Sequence, residues 1–190
     1  MRLLPVRAWL ILALTFALAP TVVFAADTNE IVAVCGDVPQ PHSYTLAELQ
    51  TLPIVNLRAR DRDGTNADYT GVPIQELLRR SGAPAGDGLR GAALTKMVVV
   101  HAADGYQAAF SLAELDPSLT DRQVVLAWSR NNEPLNAAQG PLRLVVPDDK
   151  RPARWVRRVT AIEVVTPNRP AITNAVMRMP ASIRVPASAN

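Results

Sequence analysis

Gly140-Pro141-Leu142-Arg143-Leu144-Val145-Val146-Pro147, preceded by Val124-Val125-Leu126-Ala127-Trp128 and followed by Arg154-Trp155-Val156-Arg157-Arg158-Val159, holds the strand signals from which the architecture is built. Val124–Trp128 is an apolar run of strand length bounded by polar residues. Asn131-Asn132 supplies the following turn, since Asn tolerates left-handed backbone better than most residues. Leu142–Val146 reads as an alternating strand, and Pro147 stops it because proline cannot donate to a β-ladder. Trp155–Val165 is a further β-rich run.

The same grammar extends upstream. Met97-Val98-Val99-Val100 predicts a buried strand, Asp104-Gly105 a turn, and Tyr106–Phe110 the returning strand. Ser111-Leu112-Ala113-Glu114 is a capping box for a short helix that Asp116-Pro117 ends. Tyr69–Ile74 leads into another helix, with Pro73 expected in its first turn and Gly82 at its end. Ile74, Leu77 and Leu78 share one face of it. Arg58–Asp68 is polar, contains Gly64 and predicts a loop or hairpin after a strand at Ile54–Leu57. Thr45-Leu46-Ala47-Glu48 is a further capping box, opening a helix to about Gln50, and Ile31–Val34 predicts the first strand. Gly82–Gly91 reads as a connecting loop. Short strands interleaved with short capped helices predict one α+β domain, rich in β.

The amino terminus has a different character. Arg2 and Arg7 precede a nearly unbroken apolar run, Ala8–Ala19, and Val23-Phe24-Ala25 offers the small residues of a cleavage site. That order is the pattern of an export leader, and the run is shorter than the ~20 residues of a spanning helix. The expected division is a leader at 1–25, a domain at 26–166 and a Pro-rich tail at 167–190, with the mature protein exported to the periplasm. Arg2 and Arg7 leave with the leader, so 18 basic residues face 17 acidic ones, a net charge of +1. A nearly neutral domain without an aromatic-interleaved basic run gives no warrant for nucleic-acid binding. Cys35 is the single cysteine, which excludes an internal disulfide and reads as a buried structural thiol. The two histidines, His42 and His101, cannot build a histidine-rich metal site.

The motifs of several enzyme classes are missing. No Gly-x-Ser-x-Gly elbow accompanies His101, and Ser111 is better explained as a helix cap. Neither a dinucleotide fingerprint nor a phosphate loop is present. One cluster has binding chemistry: the segment Asp148–Arg158, where Asp148, Asp149, Lys150, Arg151, Arg154, Arg157 and Arg158 surround Trp155. Arginine forks onto planar polar groups and tryptophan offers a stacking face. A solvated strand edge with Trp155 in the core is the competing structural account.

Taken together, the Val124–Trp128, Asn131–Leu135, Gly140–Pro147 and Arg154–Val159 motifs resemble the sulfite-oxidase-type molybdopterin-binding domain. Tyr69-Thr70-Gly71-Val72-Pro73-Ile74 resembles its Gly-Val-Pro-Leu segment. Gly36-Asp37-Val38 followed by Thr45–Leu49 resembles its opening strand and first helix. The likeness runs in order from about residue 31 to 165 and implies the sulfite-oxidase fold. In enzymes of that family a cysteine in a Cys-x-Gly-Asn motif, directly after a strand, binds molybdenum. The matching place here is Val55–Asp61, with Ala59 or a neighbour within one residue at the cysteine position. Alanine cannot ligate a metal, and Cys35 in the opening strand is a poor substitute. The enzymes' Arg-Asn-His cofactor segment has no counterpart either.

The resemblance further implies a pterin pocket. Tyr106 matches a tyrosine near the metal, Arg154-Trp155 matches a Lys-Trp pair beside the pyranopterin, and Asp148, Lys150 and Arg151 fall in the loop that reaches the cofactor. Arg58 and Arg60 stand beside the lost thiolate. The expected ligand is a pterin, with the complete molybdenum cofactor as the rival. Small exported cysteine-less members of the superfamily include pterin-binding regulators, which implies a non-catalytic role and an inner-membrane cyclic-di-GMP enzyme as partner. A molybdopterin enzyme with altered metal ligation and a ligand-free interaction module are the other two readings.

Overall fold

The computed structural model describes residues 30–167. The expected leader, and the Pro-rich tail beyond Pro167, lie outside the described residues. Among the described residues, ten strands form two five-stranded sheets. The first has the order β2-β1-β10-β5-β6, from β1 (Glu30–Gly36), β2 (His42–Thr45), β5 (Met97–Ala102), β6 (Gln107–Ser111) and β10 (Val159–Val165). β1 and β10 pair in parallel, and the other contacts of that sheet are antiparallel. The second sheet joins β3 (Val55–Arg60), β4 (Asn66–Pro73), β7 (Val125–Arg130) and β8 (Glu133–Pro134), with β9 (Arg143–Val145) also paired to β7. Inward residues of both sheets, among them Val34, Val100, Ile162, Tyr69, Leu126 and Leu144, belong to one core cluster.

The helices are short because their stop signals come early. α1 (Leu46–Thr51) has the predicted capping box: Glu48 N–H donates to Thr45 Oγ1 at 3.2 Å, and Thr45 N–H donates to Glu48 Oε2 at 2.7 Å. α2 (Ile74–Arg80) buries Ile74, Leu77 and Leu78. It ends in a Schellman motif, with Gly82 at φ +76° and the Ala83 and Gly82 amides returned to the Leu78 and Arg79 carbonyls. Pro73 is the N-cap of α2 and the last residue of β4, one position before the predicted first turn. Gly71 lets β4 approach β7: a Cβ there would lie 2.3 Å from the Leu126 carbonyl oxygen.

Of the loop or hairpin expected at Arg58–Asp68 the chain forms the hairpin: Arg58–Arg60 and Asn66–Asp68 are its facing arms, and alternation carries Leu57, Ala59 and Ala67 inward. Several other local expectations are corrected. Ser111 and Glu114 do form a capping box, yet Leu112–Leu115 makes only a 3-10 turn before Asp116-Pro117. Gly82–Gly91 contains a 3-10 turn at Gly86–Gly88. Leu142–Val146 does not alternate in exposure; all five residues are buried. Trp155 precedes β10 instead of lying in it, at the end of a 3-10 turn over Pro152–Arg154. Cys35 is half-buried, not buried, and burial together with the neighbouring Glu163 carboxylate pushes its thiol pKa up.

Candidate functional site

At the end of β3 the chain turns into the 61–65 loop and brings a carboxylate inside. Asp61 is 8% exposed, and Arg143, on otherwise apolar β9, is 1% exposed. Arg143 grips Asp61 with two hydrogen bonds, Nη1 to Oδ2 at 2.9 Å and Nη2 to Oδ1 at 2.7 Å. The Tyr69 hydroxyl donates to Asp61 Oδ2 at 2.7 Å, and Arg143 Nη1 also donates to Gln139 Oε1 at 2.9 Å. Arg143 Nε is buried without a hydrogen-bond partner. The guanidinium lies 5.1 Å from the Trp155 ring centroid and 5.7 Å from that of Tyr69, and the two rings meet edge-to-face at 5.9 Å. Trp155 is fastened by its indole N–H, which donates to the Val146 carbonyl at 2.7 Å.

The electrostatics follow from that packing. The Arg143 hydrogen bonds, assisted by Tyr69 and the Arg62 amide, hold the Asp61 carboxyl far below the usual carboxylate range. Burial, reinforced by the donated bond to Asp61, pushes the Tyr69 phenol up to about 12. A charged pair at this depth survives because each partner is hydrogen-bonded by the other.

Outside this network opens a cavity of about 300 Å³. Trp155 and Arg143 form its inner wall; Tyr106 and Asp104, from the β5–β6 turn, and Arg62 and Arg157 complete it. A second recess, bordered by Asp61, Asp63 and Gln139, shares Arg62 and Arg157 with the first, so the two adjoin. Tyr106 is 50% exposed, and its hydroxyl donates to the Ala153 carbonyl at 2.6 Å, joining two walls of the cavity. A larger groove, about 340 Å³ and mainly apolar, lies between α2 and Leu112–Ser118. It contains none of the residues that sequence chemistry selected.

Of the sequence-selected residues, Tyr106 and Trp155 meet at the cavity. Trp155 is also a core residue, so both of its sequence readings apply. Arg154 is committed elsewhere. It donates to both oxygens of Asp149 at 2.9 and 2.6 Å and to Glu114 at 3.0 Å, with its guanidinium 4.4 Å above the Phe110 ring. The hydrogen bond to Asp149 is the chief cause that raises the Arg154 pKa, and the bond to Glu114 ties the Pro147–Arg154 loop to the Leu112–Leu115 turn. Asp148, Lys150 and Arg151 are exposed on that loop and do not line the cavity. Arg58 and Arg60 point to the exposed side of β3, away from Ala59, and Arg60 Nε donates to the Gly64 carbonyl at 3.1 Å. Ala59 itself is 5% exposed in the core. Sequence reasoning passed over Arg62, Asp104 and Arg143, and had Arg157 only as a member of the charged Asp148–Arg158 segment. The signal available for Arg143 was a lone guanidinium inside the apolar run Leu142–Val146.

A family model described as "Oxidoreductase molybdopterin binding domain" matches residues 60–172, more than half of the chain. The chain belongs to that family. The molybdopterin-binding family includes this β-rich, sulfite-oxidase-type architecture, and the solved structures agree on the fold. The sulfane dehydrogenase SoxCD from Paracoccus pantotrophus superposes with a TM-score of 0.56 at 22% identity, covering 72% of this chain. The match covers only 38% of the SoxCD chain. No curated protein sequence matches.

The donor set fits part of the family's cofactor. Guanidinium groups, a carboxylate and aromatic faces suit an organic ring with polar edges and an anionic substituent. They do not offer a metal thiolate: Ala59 carries a methyl group, and Cys35 lies in the other sheet. Among the described residues no three His, Cys, Asp or Glu side chains are grouped to hold a metal.

Proposed function

We propose that this chain is an exported, periplasmic pterin-binding protein that keeps the sulfite-oxidase fold without oxygen-transfer chemistry, and that it reports pterin to an inner-membrane cyclic-di-GMP enzyme. The carrying observation is the contrast within one site. Aromatic and arginine side chains line the cavity, whereas the segment that would bring the metal thiolate places Ala59 in the core and turns Arg58 and Arg60 outward.

Each lining residue has a definable part. Trp155, held by the Val146 carbonyl and by Arg143, is a fixed apolar wall against which a ring packs. Tyr106 covers the ring from the β5–β6 turn and closes onto Ala153. Arg62 and Arg157 are exposed donors for ring oxygens or an anionic substituent. The buried Asp61–Arg143–Tyr69 network sets the position of this wall before any ligand arrives, which lowers the ordering cost of binding.

The test is mass spectrometry of released small molecules, with metal analysis, on one sample purified from a cofactor-competent host. A pterin at stoichiometric level without molybdenum is the expected result. Stoichiometric molybdenum with pyranopterin would overturn the non-catalytic reading in favour of an oxidoreductase with altered metal ligation. Purification without any ligand, together with no pterin binding in titration, would favour a ligand-free interaction module.

A further inference from the structure

The carboxylates around the cavity and its adjoining recess are not equivalent. Asp61 is saturated by Arg143, Tyr69 and the Arg62 amide. Asp63 accepts from the Thr65 amide and hydroxyl and faces Arg130 at 3.6 Å. Asp104 differs: among the described residues it accepts one hydrogen bond, from the Tyr106 amide to Oδ1 at 3.0 Å, and has no ion pair. Its Oδ2 is uncommitted, and Oδ1 keeps a second lone pair. The positive groups divide the same way. Arg143 is tied to Asp61, whereas the side chains of Arg62 and Arg157 make no hydrogen bond or ion pair among the described residues.

The cavity therefore presents one acceptor-only group on the β5–β6 turn and two donor-only groups on other segments. A ligand that satisfies both has neighbouring N–H donors on one edge and oxygen or an anionic substituent on another. We infer that Asp104 is the specificity-determining residue of the site: it reads the paired N–H edge of a 2-amino-4-oxopteridine and rejects a 2,4-dioxo ring. This rests on the pterin-binding reading above. A carboxylate accepts the ring N–H and the exocyclic amino group side by side, as it accepts a forked guanidinium. A 2,4-dioxo ring turns a carbonyl oxygen toward the carboxylate instead, setting acceptor against acceptor.

The probe pair is pterin and lumazine, which differ in the group at that edge, titrated by fluorescence into the full chain and its Asp104→Asn variant. The substituted amide keeps an oxygen for the Tyr106 amide, and the position is exposed, so the fold is preserved and a melting curve verifies it. The native protein is expected to prefer pterin over lumazine. Asp104→Asn should weaken pterin on the order of 10- to 100-fold, the range for losing a charge-assisted hydrogen bond, and leave lumazine unchanged or tighter. Equal binding of both rings by the native protein, or unchanged pterin affinity and selectivity in a folded Asp104→Asn variant, overturns the assignment of Asp104 while leaving the pterin reading intact. Failure of both rings to bind the native protein removes the pterin reading itself, and the inference with it.

Discussion

Replacing Arg143 by Met isolates the centre of the site. The change keeps much of the length of the side chain and removes the guanidinium, so Asp61 loses both of its hydrogen bonds from Arg143 in a site where it is 8% exposed. Gln139 loses its donor, and the edge-to-face pair of Tyr69 and Trp155 loses the cation between them. Removing one member of a buried ion pair costs about 3–5 kcal/mol, chiefly because the other charge is left uncompensated; Arg130 Nε, 3.7 Å from Asp61 Oδ2, remains as a weaker partner and places the loss toward the lower end of that range. For a domain of this size each kcal/mol moves the melting temperature by roughly 2–4 °C. A fall of about 6–20 °C is therefore expected, checked by urea unfolding with an unchanged m-value so that ΔG and Tm report the same state. Combining Arg143→Met with Asp61→Leu removes both charges and is expected to be less damaging than Arg143→Met alone. A single-variant loss under about 1 kcal/mol, or a double variant whose loss equals the sum of its parts, would refute the account of a mutually dependent pair.

The pH profile carries the same network's signature. Asp61 has a depressed folded pKa, so its stabilisation is present above the unfolded carboxylate value of about 3.9 and is lost as pH falls below it. Tyr69 titrates at about 12 when folded against about 10 when unfolded, so its contribution is complete below pH ~10 and is lost as pH rises from there toward the folded value. Stability measured against pH should show both flanks, with Asp61→Asn removing much of the acid one. Gly71→Ala forces a methyl group against the Leu126 carbonyl and is expected to cost about 1–3 kcal/mol by overpacking; a neutral result in denaturant melts would contradict the close β4–β7 approach. Arg154→Ala releases Asp149 and Glu114 and should raise hydrogen exchange in the Pro147–Arg154 loop. Unchanged exchange there would show that the ion cluster does not fasten the loop.

Much of the architecture was legible because it depends on local chemistry. Capping boxes at Thr45 and Ser111, the glycine stop at Gly82 and the turn at Asn131-Asn132 are settled by bonds within a few residues. Strand existence followed from apolar runs at Val98, Leu126 and Ile162. What failed was exposure. Leu142–Val146 looked like an alternating strand, but β9 is covered on both sides, so even its arginine had to find a carboxylate. Arg58 and Arg60 looked like site residues because they flank Ala59, yet a strand sends neighbouring side chains to opposite faces.

Sequence alone determined most of the strand segments, though not β2 or β8, the capped starts of the short helices, and which family the chain resembles, because each rests on patterns read within a window of residues. Tertiary structure alone decided the site. Asp61 and Arg143 are 82 positions apart in the chain, and Arg62, Asp104, Trp155 and Arg157 are brought to one cavity from separate parts of it. Which of these charges is consumed by an internal partner and which is left to meet a ligand depends on distances through space, and no spacing along the chain encodes them.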